Sequence, residues 1–511
     1  MLPTEVFSSF RRSAKAELRW KSTRENPLLP NRQTLALTGI ALGVLVLAVQ
    51  CCQYLVLGAY FDHIEGNVLI SGWQYVHGTP LYQIEVGAPR FSTYYGPLAY
   101  LAQVPALLLL GGNVVTSKLT SILALLATVV LMARYFLGHA AGADGWHGIF
   151  FLIGALLLFT PVSFWVRPDP IETLIVAAAV VATASRRRPL WIGICLGATA
   201  NLKAHAGFYF LPILVDLWWT GSWRALLIAA GTSIVAFMLP FLAPGISLHD
   251  YLAGLVQQVG GRPQTSSQLP CILITVLLLL LPLAIPLATR HQPRRTTVYA
   301  GATIATAALL FYPATFPGAG AYHFLPLVPV LADVRHRLKP QGLDAVITPF
   351  VILLVGSLAA AETSQMLAAK RGAETVGAEA LALARESGLP TVQVGYGDNR
   401  PSYEESQLGR TVLALHSYPV LVDAQILMEL RQVGIDGSTR WIPYLTGCRV
   451  GRWLLPKGET PFATTSYFYD GDQLFSEEFR RAFFDNYHLV KSAVHFDVWE
   501  CRGPRAAAVD H

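Results

Sequence analysis

The sequence predicts an α-helical, polytopic membrane protein that carries a small α/β domain at its C-terminal end. Hydrophobic residues make up 53% of the 511 residues and charged residues only 14%, whereas about a quarter of the residues of a soluble protein are charged. The apolar residues are grouped in long runs, and the first run, 34–60, contains no charged side chain. A run of this length is typical of a helix that crosses a bilayer. We therefore expect a multi-pass protein of a cell membrane, surrounded by membrane lipids.

The segment 1–34 precedes the first apolar run and is basic. A signal peptide would have a short apolar core followed by small residues at a cleavage site. Here the run has about full membrane length and ends at the bulky pair Tyr60-Phe61. We expect an uncleaved helix with a cytoplasmic N-terminus, whose basic residues orient the helix rather than bind nucleic acid. These residues are Arg11, Arg12, Lys15, Arg19, Lys21, Arg24 and Arg32.

Eleven membrane-spanning helices are predicted within residues 35–361, the first of them ending near residue 60. The run Pro97–Leu110 is ambiguous, because a length of about 14 residues is more typical of a re-entrant or interfacial segment. If this run crossed the membrane, the cluster Arg186-Arg187-Arg188 would move outside, against the positive-inside rule. We therefore place it as an interfacial helix in an external loop, 59–112. The other ten predicted spans are 114–137, 148–166, 170–185, 189–203, 206–220, 223–243, 269–289, 297–312, 322–338 and 343–361.

The external loop begins with Asp62, His63 and Glu65, directly after the first predicted helix. Carboxylates beside apolar helices are costly to desolvate and often mark a functional site. The alternative, which the loop alone favours equally, is a solvated loop whose acids face water. A choice between the two depends on which other residues lie on the same side of the membrane.

The same topology places four further polar groups on the external side. Three of them lie at the ends of predicted helices, and Arg262 lies in the loop 244–268. Taken singly, a cation in such a position more often contacts lipid headgroups. Together they predict a cluster of positive charge around the acidic loop, which favours a phosphate-bearing ligand. The groups are Arg167-Pro168-Asp169, Lys203-Ala204-His205, Arg262 and Tyr322-His323.

Six short motifs within residues 35–361 follow one another in a defined order. They are Asp62-His63-Ile64-Glu65, Gly-Thr-Pro-Leu-Tyr at 78–82, Tyr-Gly-Pro-Leu-Ala-Tyr at 95–100, Arg-Pro-Asp at 167–169, Leu-Lys-Ala-His at 202–205 and Tyr-His-Phe-Leu-Pro at 322–326. With these motifs the chain resembles the GT-C superfamily, the membrane glycosyltransferases that use polyprenyl-phosphate-linked sugars. Similar members are the aminoarabinose–lipid A transferases and the protein O-mannosyltransferases.

The resemblance implies an inverting hexosyl- or pentosyltransferase. It would move a sugar from a polyprenyl-phosphate-linked donor to an extracytoplasmic glycan or lipid acceptor. A positioned carboxylate would accept the proton of the attacking hydroxyl, and this catalytic role falls to Asp62 or Glu65. Many relatives have adjacent acids here, whereas these two are separated by two residues. If the stretch is helical, a spacing of three puts both carboxylates on one face, so the two stay alternatives.

The resemblance also assigns other polar residues of the external side to the substrates. Cations are needed where negative charge grows on the leaving phosphate. Asp169 is expected to orient Arg167, and the tyrosines fit a sugar pocket or, equally, an interfacial aromatic belt. Some relatives are metal-free and others bind a divalent ion at the acid motif. The resemblance therefore assigns no cofactor and leaves open whether a divalent cation binds. The candidate donor-phosphate residues are Arg167, Lys203, His205, Arg262 and His323. The candidate substrate-binding residues are His63, Tyr82, Tyr94, Tyr95, Asp169 and Tyr322.

Residues 362–511 have a more polar composition and are predicted to form an extracytoplasmic (periplasmic) α/β domain. Strand-like runs occur at Thr391–Gly395, Val420–Val422 and His495–Trp499, and an amphipathic helix is expected at Ala424–Gly434. We expect the domain to bind the acceptor or to cover the site, with a purely structural cap as the alternative.

Two features of this domain concern redox state and metal binding. Cys448 and Cys501 are expected to form a disulfide if the compartment is oxidising. Asp470-Gly471-Asp472 resembles the D-x-D metal motif of nucleotide-sugar transferases. Because Asp-Gly is also ordinary turn chemistry, we predict no metal site there.

Two other functions compete with transfer: a transporter or flippase of a lipid-linked glycan, and a non-catalytic membrane scaffold. A transporter typically has repeat-like halves and polar groups near the middle of the membrane. In this sequence no internal repeat is evident, and the ionisable residues gather at helix ends on one side. The pattern therefore favours a transferase.

Overall fold

The computed structural model describes residues 32–83, 95–139, 144–259, 267–316, 318–339, 344–389, 391–421, 423–466 and 472–503. These segments are mostly helical, with a four-stranded sheet near the C-terminal end. The predicted fold class, a helical membrane protein with a C-terminal α/β part, is confirmed. Tyr94, Arg262, Asp470-Gly471 and the basic segment 1–31 lie outside the described residues.

Fifteen α-helices precede residue 370 in the described segments, together with the 3₁₀ segments Ala204–Phe210, Leu239–Leu242 and Ala321–Leu327. The helices are α1 (Arg32–Val56), α2 (His63–Val76), α3 (Pro97–Leu101), α4 (Val104–Leu110), α5 (Val114–His139), α6 (Asp144–Leu158), α7 (Pro168–Ala182), α8 (Arg188–Leu202), α9 (Leu211–Thr220), α10 (Trp223–Met238), α11 (Leu248–Val259), α12 (Leu269–Thr289), α13 (Arg294–Ala314), α14 (Val328–Arg337) and α15 (Asp344–Ala369).

Six helical segments of the described residues are long and apolar enough to cross a membrane. Each of the eleven predicted spans contains a helix, but the count of eleven is not confirmed, because the other five are short or broken. The 15-residue helix α7, for example, is about 22 Å long, less than the ~30 Å hydrocarbon core of a bilayer. The six segments are Gln33–Val56, Val114–Gly138, Trp223–Leu242, Leu269–Thr289, Arg294–Ala314 and Asp344–Ser387.

The segment between α1 and α5, predicted as an external loop, contains three helices. α2 begins at His63, and α3 and α4 divide the run Pro97–Leu110 at Ala102-Gln103. With five and seven residues, α3 and α4 are each too short to cross a bilayer. The acids at the start of this segment are therefore the beginning of an ordered helix rather than part of an irregular loop.

The C-terminal part packs five helices around the four-stranded sheet. The strand order is β1-β2-β4-β3, with β1 and β2 parallel and the other pairs antiparallel. The predicted helix at Ala424–Gly434 and the predicted strands at 391–395 and 495–499 correspond to α18, β1 and β4. The elements are α16 (Glu374–Ser387), β1 (Val392–Val394), α17 (Arg400–Leu415), α18 (Ala424–Gln432), α19 (Ile442–Thr446), β2 (Arg452–Pro456), α20 (Glu477–Asn486), β3 (Tyr487–Ser492) and β4 (Phe496–Cys501).

The predicted strand at Val420–Val422 is wrong over its described residues, Val420 and Leu421, which lie in an irregular segment. Strand β3 was not predicted because only its first residue, Tyr487, is buried, so the strand lacks the alternation that marks a half-buried strand. The Cys448–Cys501 disulfide is present, with the Cα atoms 5.9 Å apart. It joins the segment before β2 to the last residue of β4.

Helix α2 is wedged between α3 and α17, and two of its glycines allow this close packing. A Cβ atom at Gly72 would lie 2.7 Å from the carbonyl oxygen of Tyr100, and one at Gly66 would lie 2.4 Å from Oγ1 of Thr411. Both distances are shorter than a methyl group tolerates. The N-terminal end of α2 is thereby held against the C-terminal part of the chain.

Candidate active site

Asp62 and Glu65 form a capping box at the N-terminal end of α2. Asp62 is the N-cap residue, with extended backbone angles (φ −136°, ψ 160°), and its Oδ1 accepts the backbone N–H of Ile64 at 2.6 Å. Oε1 of Glu65 accepts the backbone N–H of Asp62 at 2.9 Å. The expectation that both carboxylates share one helical face is wrong, because Asp62 precedes the helix. The D-x-x-E pattern at a helix start was the sequence signal for this capping box.

The Glu65 carboxylate is fully buried and accepts four hydrogen bonds from the protein. Oε1 accepts the backbone N–H groups of Phe61 (2.7 Å) and Asp62. Oε2 accepts the backbone N–H of Val166 (2.7 Å) and the hydroxyl of Tyr54. Burial, followed by the charge of Asp62, raises the pKa of Glu65. Glu65 thus ties the start of α2 to the chain that leads into α7.

A buried lysine fixes the chain just before Asp62. Nζ of Lys118, in α5, donates to the carbonyl oxygens of Tyr54 (2.7 Å), Leu57 (2.6 Å) and Ala59 (2.7 Å). These carbonyls lie at the C-terminal end of α1 and in the segment after it, where a helix leaves backbone acceptors without partners. Lys118 therefore stabilises the turn from α1 to α2. In the sequence it was apparent only as a cation within a predicted span.

Arg167, the N-cap residue of α7, forms an ion pair with Asp62. Its Nη1 lies 2.9 Å from Oδ2 of Asp62, and its Nη2 donates to the hydroxyl of Tyr95 at 3.1 Å. The guanidinium carbon lies 4.1 Å from the ring centroid of Trp165 and 5.2 Å from that of Tyr322. The side chain of Arg167 is 3% exposed and that of Asp62 is 22% exposed. Of the two partners, the carboxylate is therefore the more exposed.

The pKa of Asp62 lies below its usual value of 3.8. Burial alone would raise this pKa, but the charges of Arg167 and His63 and the hydrogen bond from Ile64 together lower it by more. The Asp62 carboxylate is therefore ionised at neutral pH, as a proton acceptor must be.

Lys203 forms a second buried ion pair, with Asp169. Its Nζ lies 2.5 Å from Oδ1 of Asp169 and 3.6 Å from Oε2 of Glu172, and none of the three side chains is more than 5% exposed. Oδ2 of Asp169 accepts the indole N–H of Trp165 at 3.1 Å. The expectation that Asp169 orients Arg167 is therefore corrected, because Asp169 holds Lys203. Glu172 was missed, although a carboxylate inside an apolar helix is itself a signal for a functional site.

His205 and His323 contact each other beside this ion pair. Nε2 of His205 lies 3.0 Å from Nδ1 of His323, at hydrogen-bond distance. The backbone carbonyl of His323 accepts the hydroxyl of Tyr209 at 2.8 Å. Burial, followed by the charge of Lys203, lowers the pKa of His205 to about 3. His205 is consequently a neutral imidazole at physiological pH, able to donate one N–H or to accept one.

Of the three predicted sugar-lining tyrosines of the first external segment, the two described ones have different surroundings. Tyr95 contacts the site directly through its hydroxyl on Arg167. Tyr82 is buried against the rings of Tyr100 and Tyr251, and its hydroxyl donates to the carbonyl of Tyr95 at 2.7 Å. Tyr82 thus supports Tyr95 rather than facing a ligand. Both rings lie inside the protein, which argues against their serving as a lipid-facing belt.

The segment that carries Tyr95 is docked on the residue pair before Lys203. The backbone N–H of Gly96 donates to the carbonyl of Leu202 at 3.1 Å, and Oδ1 of Asn201 accepts the N–H of Leu98 at 2.9 Å. A Cβ atom at Gly96 would lie 1.6 Å from the carbonyl oxygen of Asn201. Only glycine permits this approach, which places Tyr95 beside the second cation.

A cavity of about 190 Å³ opens next to Asp62, between the start of α2, the end of α15 and α17. Nζ of Lys370 lies at this cavity and contacts the carbonyl of Phe61 (2.6 Å) and Oε2 of Glu404 (2.5 Å). His63 lines it too, with Nε2 2.7 Å from Oε1 of Gln425. The side chain of His63 therefore reaches across to the C-terminal domain.

The sequence and the fold were compared with those of known proteins. A family model described as glycosyltransferase family 87 matches residues 93–313. The fold is similar to a crystal structure of ArnT from Cupriavidus metallidurans bound to undecaprenyl phosphate, with a TM-score of 0.56 and 13% identity over 91% of this chain and 98% of that chain. The resemblance to the GT-C superfamily is confirmed. A second ArnT structure from the same organism, in the apo state, matches at 12% identity with a TM-score of 0.55 over 91% of this chain and 97% of that chain. No curated protein matches the sequence.

Two cations and one histidine that the GT-C resemblance assigned to the donor phosphate lie around a single aromatic ring. The ring centroid of Tyr322 is 5.2 Å from the guanidinium carbon of Arg167 and 5.6 Å from Nζ of Lys203. The ring also stacks on His323, 4.6 Å away at an interplanar angle of 24°, and His323 contacts His205. The GT-C fold thus brings together residues that lie up to about 150 positions apart in the chain.

The described residues contain no group of three or more histidine, cysteine, aspartate or glutamate side chains that could hold a metal ion. The acid motif contributes one exposed carboxylate, that of Asp62, while Glu65 has protein donors at both oxygens. Within the GT-C site, the groups available to a ligand are therefore the Asp62 carboxylate and the neighbouring cations. Together with the family match, this arrangement supports a membrane glycosyltransferase.

Proposed function

We propose that the protein transfers a sugar from a polyprenyl-phosphate-linked donor to a hydroxyl group of an extracytoplasmic glycan or lipid, with inversion at the anomeric carbon. The observation that carries this proposal is the Asp62–Arg167 ion pair of 2.9 Å, which lies between the cation cluster and the cavity. The undecaprenyl phosphate in the similar ArnT structure supports a polyprenyl-phosphate donor. The sugar itself stays open between a pentose and a hexose.

Asp62 is the residue that we assign as the general base. Its carboxylate is ionised, partly exposed and adjacent to the cavity. Glu65 is a less suitable base because it is fully buried and both of its oxygens already accept hydrogen bonds. We assign Glu65 as a positioning residue that holds the backbone of Asp62. This proposal takes one of the two alternatives that the sequence left open between the two acids.

The cation cluster is suited to the phosphate of the donor. In the reaction, the acceptor oxygen bonds to the anomeric carbon, and the bond between that carbon and the phosphate oxygen breaks. The phosphate gains one negative charge as the acceptor proton passes to Asp62. Arg167 and Lys203 are positive charges of this cluster that ion pairs hold in place, and charge that is already oriented lowers the barrier most effectively. His205 and His323 can add neutral N–H donors.

Arg167 has a further role in this mechanism, since a donor phosphate competes with Asp62 for its guanidinium group. When the guanidinium group turns toward the phosphate, the interaction that lowers the pKa of Asp62 weakens. The pKa of Asp62 then rises, and the carboxylate becomes a better proton acceptor. Donor binding would in this way activate the base before the acceptor reacts.

The proposed orientation has a cytoplasmic N-terminus and an extracytoplasmic C-terminal domain. The distribution of basic residues in the sequence supports it. The Cys448–Cys501 disulfide adds independent support, because disulfides persist mainly in oxidising compartments. The domain that contains this disulfide contributes Glu404 and Gln407 to the cavity beside Asp62. We therefore propose that residues 362–511 take part in acceptor binding.

The test is an assay of the full-length protein in lipid nanodiscs with radiolabelled polyprenyl-phosphate pentoses and hexoses. We expect release of free polyprenyl phosphate from one of these donors, and a product whose anomeric configuration, determined by NMR, is opposite to that of the donor. A transporter or scaffold would bind the lipid without cleaving it. Absence of cleavage with every donor, or retention of configuration, would reject the proposed function.

A further inference from the structure

We propose that the cavity beside Asp62 binds an uncharged, polyhydroxylated acceptor group such as a single sugar ring. This inference rests on the proposed function and assigns the acceptor side of the same site. The cavity volume of about 190 Å³ is below the ~300–1,000 Å³ of sites that enclose drug-sized ligands. It therefore suits one sugar-sized group, with the rest of the acceptor extending outside.

The charges around the cavity disfavour an anionic acceptor. Three carboxylates line it, those of Asp62, Glu404 and Glu405. The single lysine of the lining, Lys370, is already held by Glu404 at 2.5 Å and by a backbone carbonyl. A phosphate group would meet three carboxylates, and the cations beside them, Lys370 and Arg167, are each already paired with one of these acids. Hydroxyl groups, in contrast, can donate hydrogen bonds to carboxylates.

The two sides of Asp62 thus differ in charge. Oδ2 of Asp62 faces the guanidinium group of Arg167, and beyond it lie the ion pair of Lys203 and the two histidines. The cavity, on the other side, is lined by acids and by small or apolar residues such as Ala59, Gly66 and Leu408. The small and apolar lining offers a surface for the C–H groups of a sugar ring. A phosphate-bearing donor and an uncharged acceptor can therefore approach the same carboxylate from opposite sides.

The cavity is shared between the two parts of the chain. Residues at the start of α2 form one wall, and residues of α17 form the opposite wall. The two helices touch at Gly66 and Thr411, with no room for a Cβ atom at Gly66. His63 and Gln425 are hydrogen-bonded beside the cavity. An acceptor bound here would contact both the base and the C-terminal domain, which explains why that domain packs on α2.

Two neighbouring alanines at the end of α15 provide a matched pair of test variants. Ala369 lines the cavity, while Ala368 is exposed and does not line it. Ala369→Phe should fill the cavity without touching the residues assigned to catalysis. Ala368→Phe adds the same side chain to the same helix end outside the cavity. Glu405→Gln provides a third variant, which removes one lining charge with little change in volume.

The measurements are transfer to methyl glycosides, transfer to the same glycosides carrying a phosphate, and release of polyprenyl phosphate when water is the only acceptor. We expect Ala369→Phe to raise the KM for the neutral glycoside about tenfold or more, while the melting temperature stays at the wild-type level. Ala368→Phe should behave as wild type. Glu405→Gln should raise the same KM, because a hydroxyl loses its charged acceptor.

Two results would overturn the inference. One is equal glycoside KM values for Ala369→Phe and Ala368→Phe, and the other is a preference of the wild-type protein for the phosphorylated glycoside. Both differ from a failure of the proposed function, in which the wild-type protein would release no polyprenyl phosphate from any donor.

Discussion

Asp62 and Arg167 lie 105 positions apart in the sequence and form an ion pair of 2.9 Å at the start of two different helices. One carboxylate, that of Glu65, holds both ends of this pair, because it accepts the backbone N–H of Asp62 and that of the residue preceding Arg167. The geometry of the proposed base and its cation is therefore set by a third residue that has no access to a substrate.

Replacing Glu65 by glutamine is expected to destabilise the protein. The amide N–H₂ group would face backbone N–H donors in place of one carboxylate oxygen, and a buried polar group that loses its partner costs about 1–3 kcal/mol. We expect a lower melting temperature in differential scanning fluorimetry and a lower kcat, with the KM of the donor little changed. Glu478→Gln, at an exposed residue of α20, is the control. An unchanged melting temperature for Glu65→Gln would refute the positioning role.

Arg167→Gln is expected to shift the acidic limb of the pH–activity profile of sugar transfer to higher pH. Arg167 is the largest of the interactions that lower the pKa of Asp62, so the pKa rises when Arg167 is removed. Asp62 must be ionised to accept a proton. The variant should therefore lose activity at a higher pH on acidification than the wild-type protein, whose limb lies below the usual pKa of 3.8.

The check on this pH effect is a profile of kcat/KM against pH for both proteins, each normalised to its own maximum. His249→Gln is the control, since the His249 side chain is 85% exposed and forms an ion pair with the neighbouring Asp250. Acidic limbs that coincide for wild type and Arg167→Gln would mean that Asp62 is not the group that limits the rate.

Lys203→Met is expected to be strongly destabilising. The substitution leaves the Asp169 carboxylate, which is fully buried, without its cation, and breaking a buried ion pair in this way costs about 3–5 kcal/mol. Chemical denaturation in detergent micelles measures the change in the free energy of unfolding. Lys491→Met is the control, because Lys491 and its partner Glu386 are 49% and 55% exposed, and such surface pairs contribute under about 1 kcal/mol. Equal effects of the two variants would contradict the burial argument.

The Cys448–Cys501 disulfide is expected to stabilise the C-terminal domain. It closes a loop with a sequence separation of 53 residues, for which loop-closure entropy predicts about 4 kcal/mol. Alkylation of the unreduced, denatured protein followed by mass spectrometry should label only Cys51, Cys52, Cys195 and Cys271. The double variant Cys448→Ser/Cys501→Ser should melt at a lower temperature than Cys52→Ser. Labelling of all six cysteines would show that the bond does not form.

The clustering of the cations and histidines of the site could be predicted from sequence, because the positive-inside rule gives a topology without knowledge of packing. That rule placed Arg167, Lys203, His205 and His323 together, and the structure brings them around Tyr322. The partners of the individual charges could not be predicted in this way. Asp169 is nearer to Arg167 in sequence than Asp62 is, but the turn at the start of α7 directs Asp169 to Lys203.

The roles of Asp62 and Glu65 could not be assigned from the sequence either. A D-x-x-E pattern fits both a catalytic pair and a capping box. The backbone angles of Asp62 are needed to show that it caps the helix. Likewise, hydropathy gives the apolar length of a span but not its breaks. For this reason 206–220 and 322–338 were predicted as simple spans. In the structure their first residues belong to the 3₁₀ segments Ala204–Phe210 and Ala321–Leu327.

The most direct test of the account is the rate of sugar transfer by Asp62→Asn, measured with a saturating donor and compared with wild type and with the control Asp250→Asn, whose side chain is similarly exposed (26%). The side chain of Asp62 is partly exposed, so the variant should fold and should still bind polyprenyl phosphate. Loss of a general base lowers the rate by about 10²–10⁴-fold, and we predict a loss of this size for Asp62→Asn alone. Transfer by Asp62→Asn at the wild-type rate would contradict the assignment of Asp62 as the base.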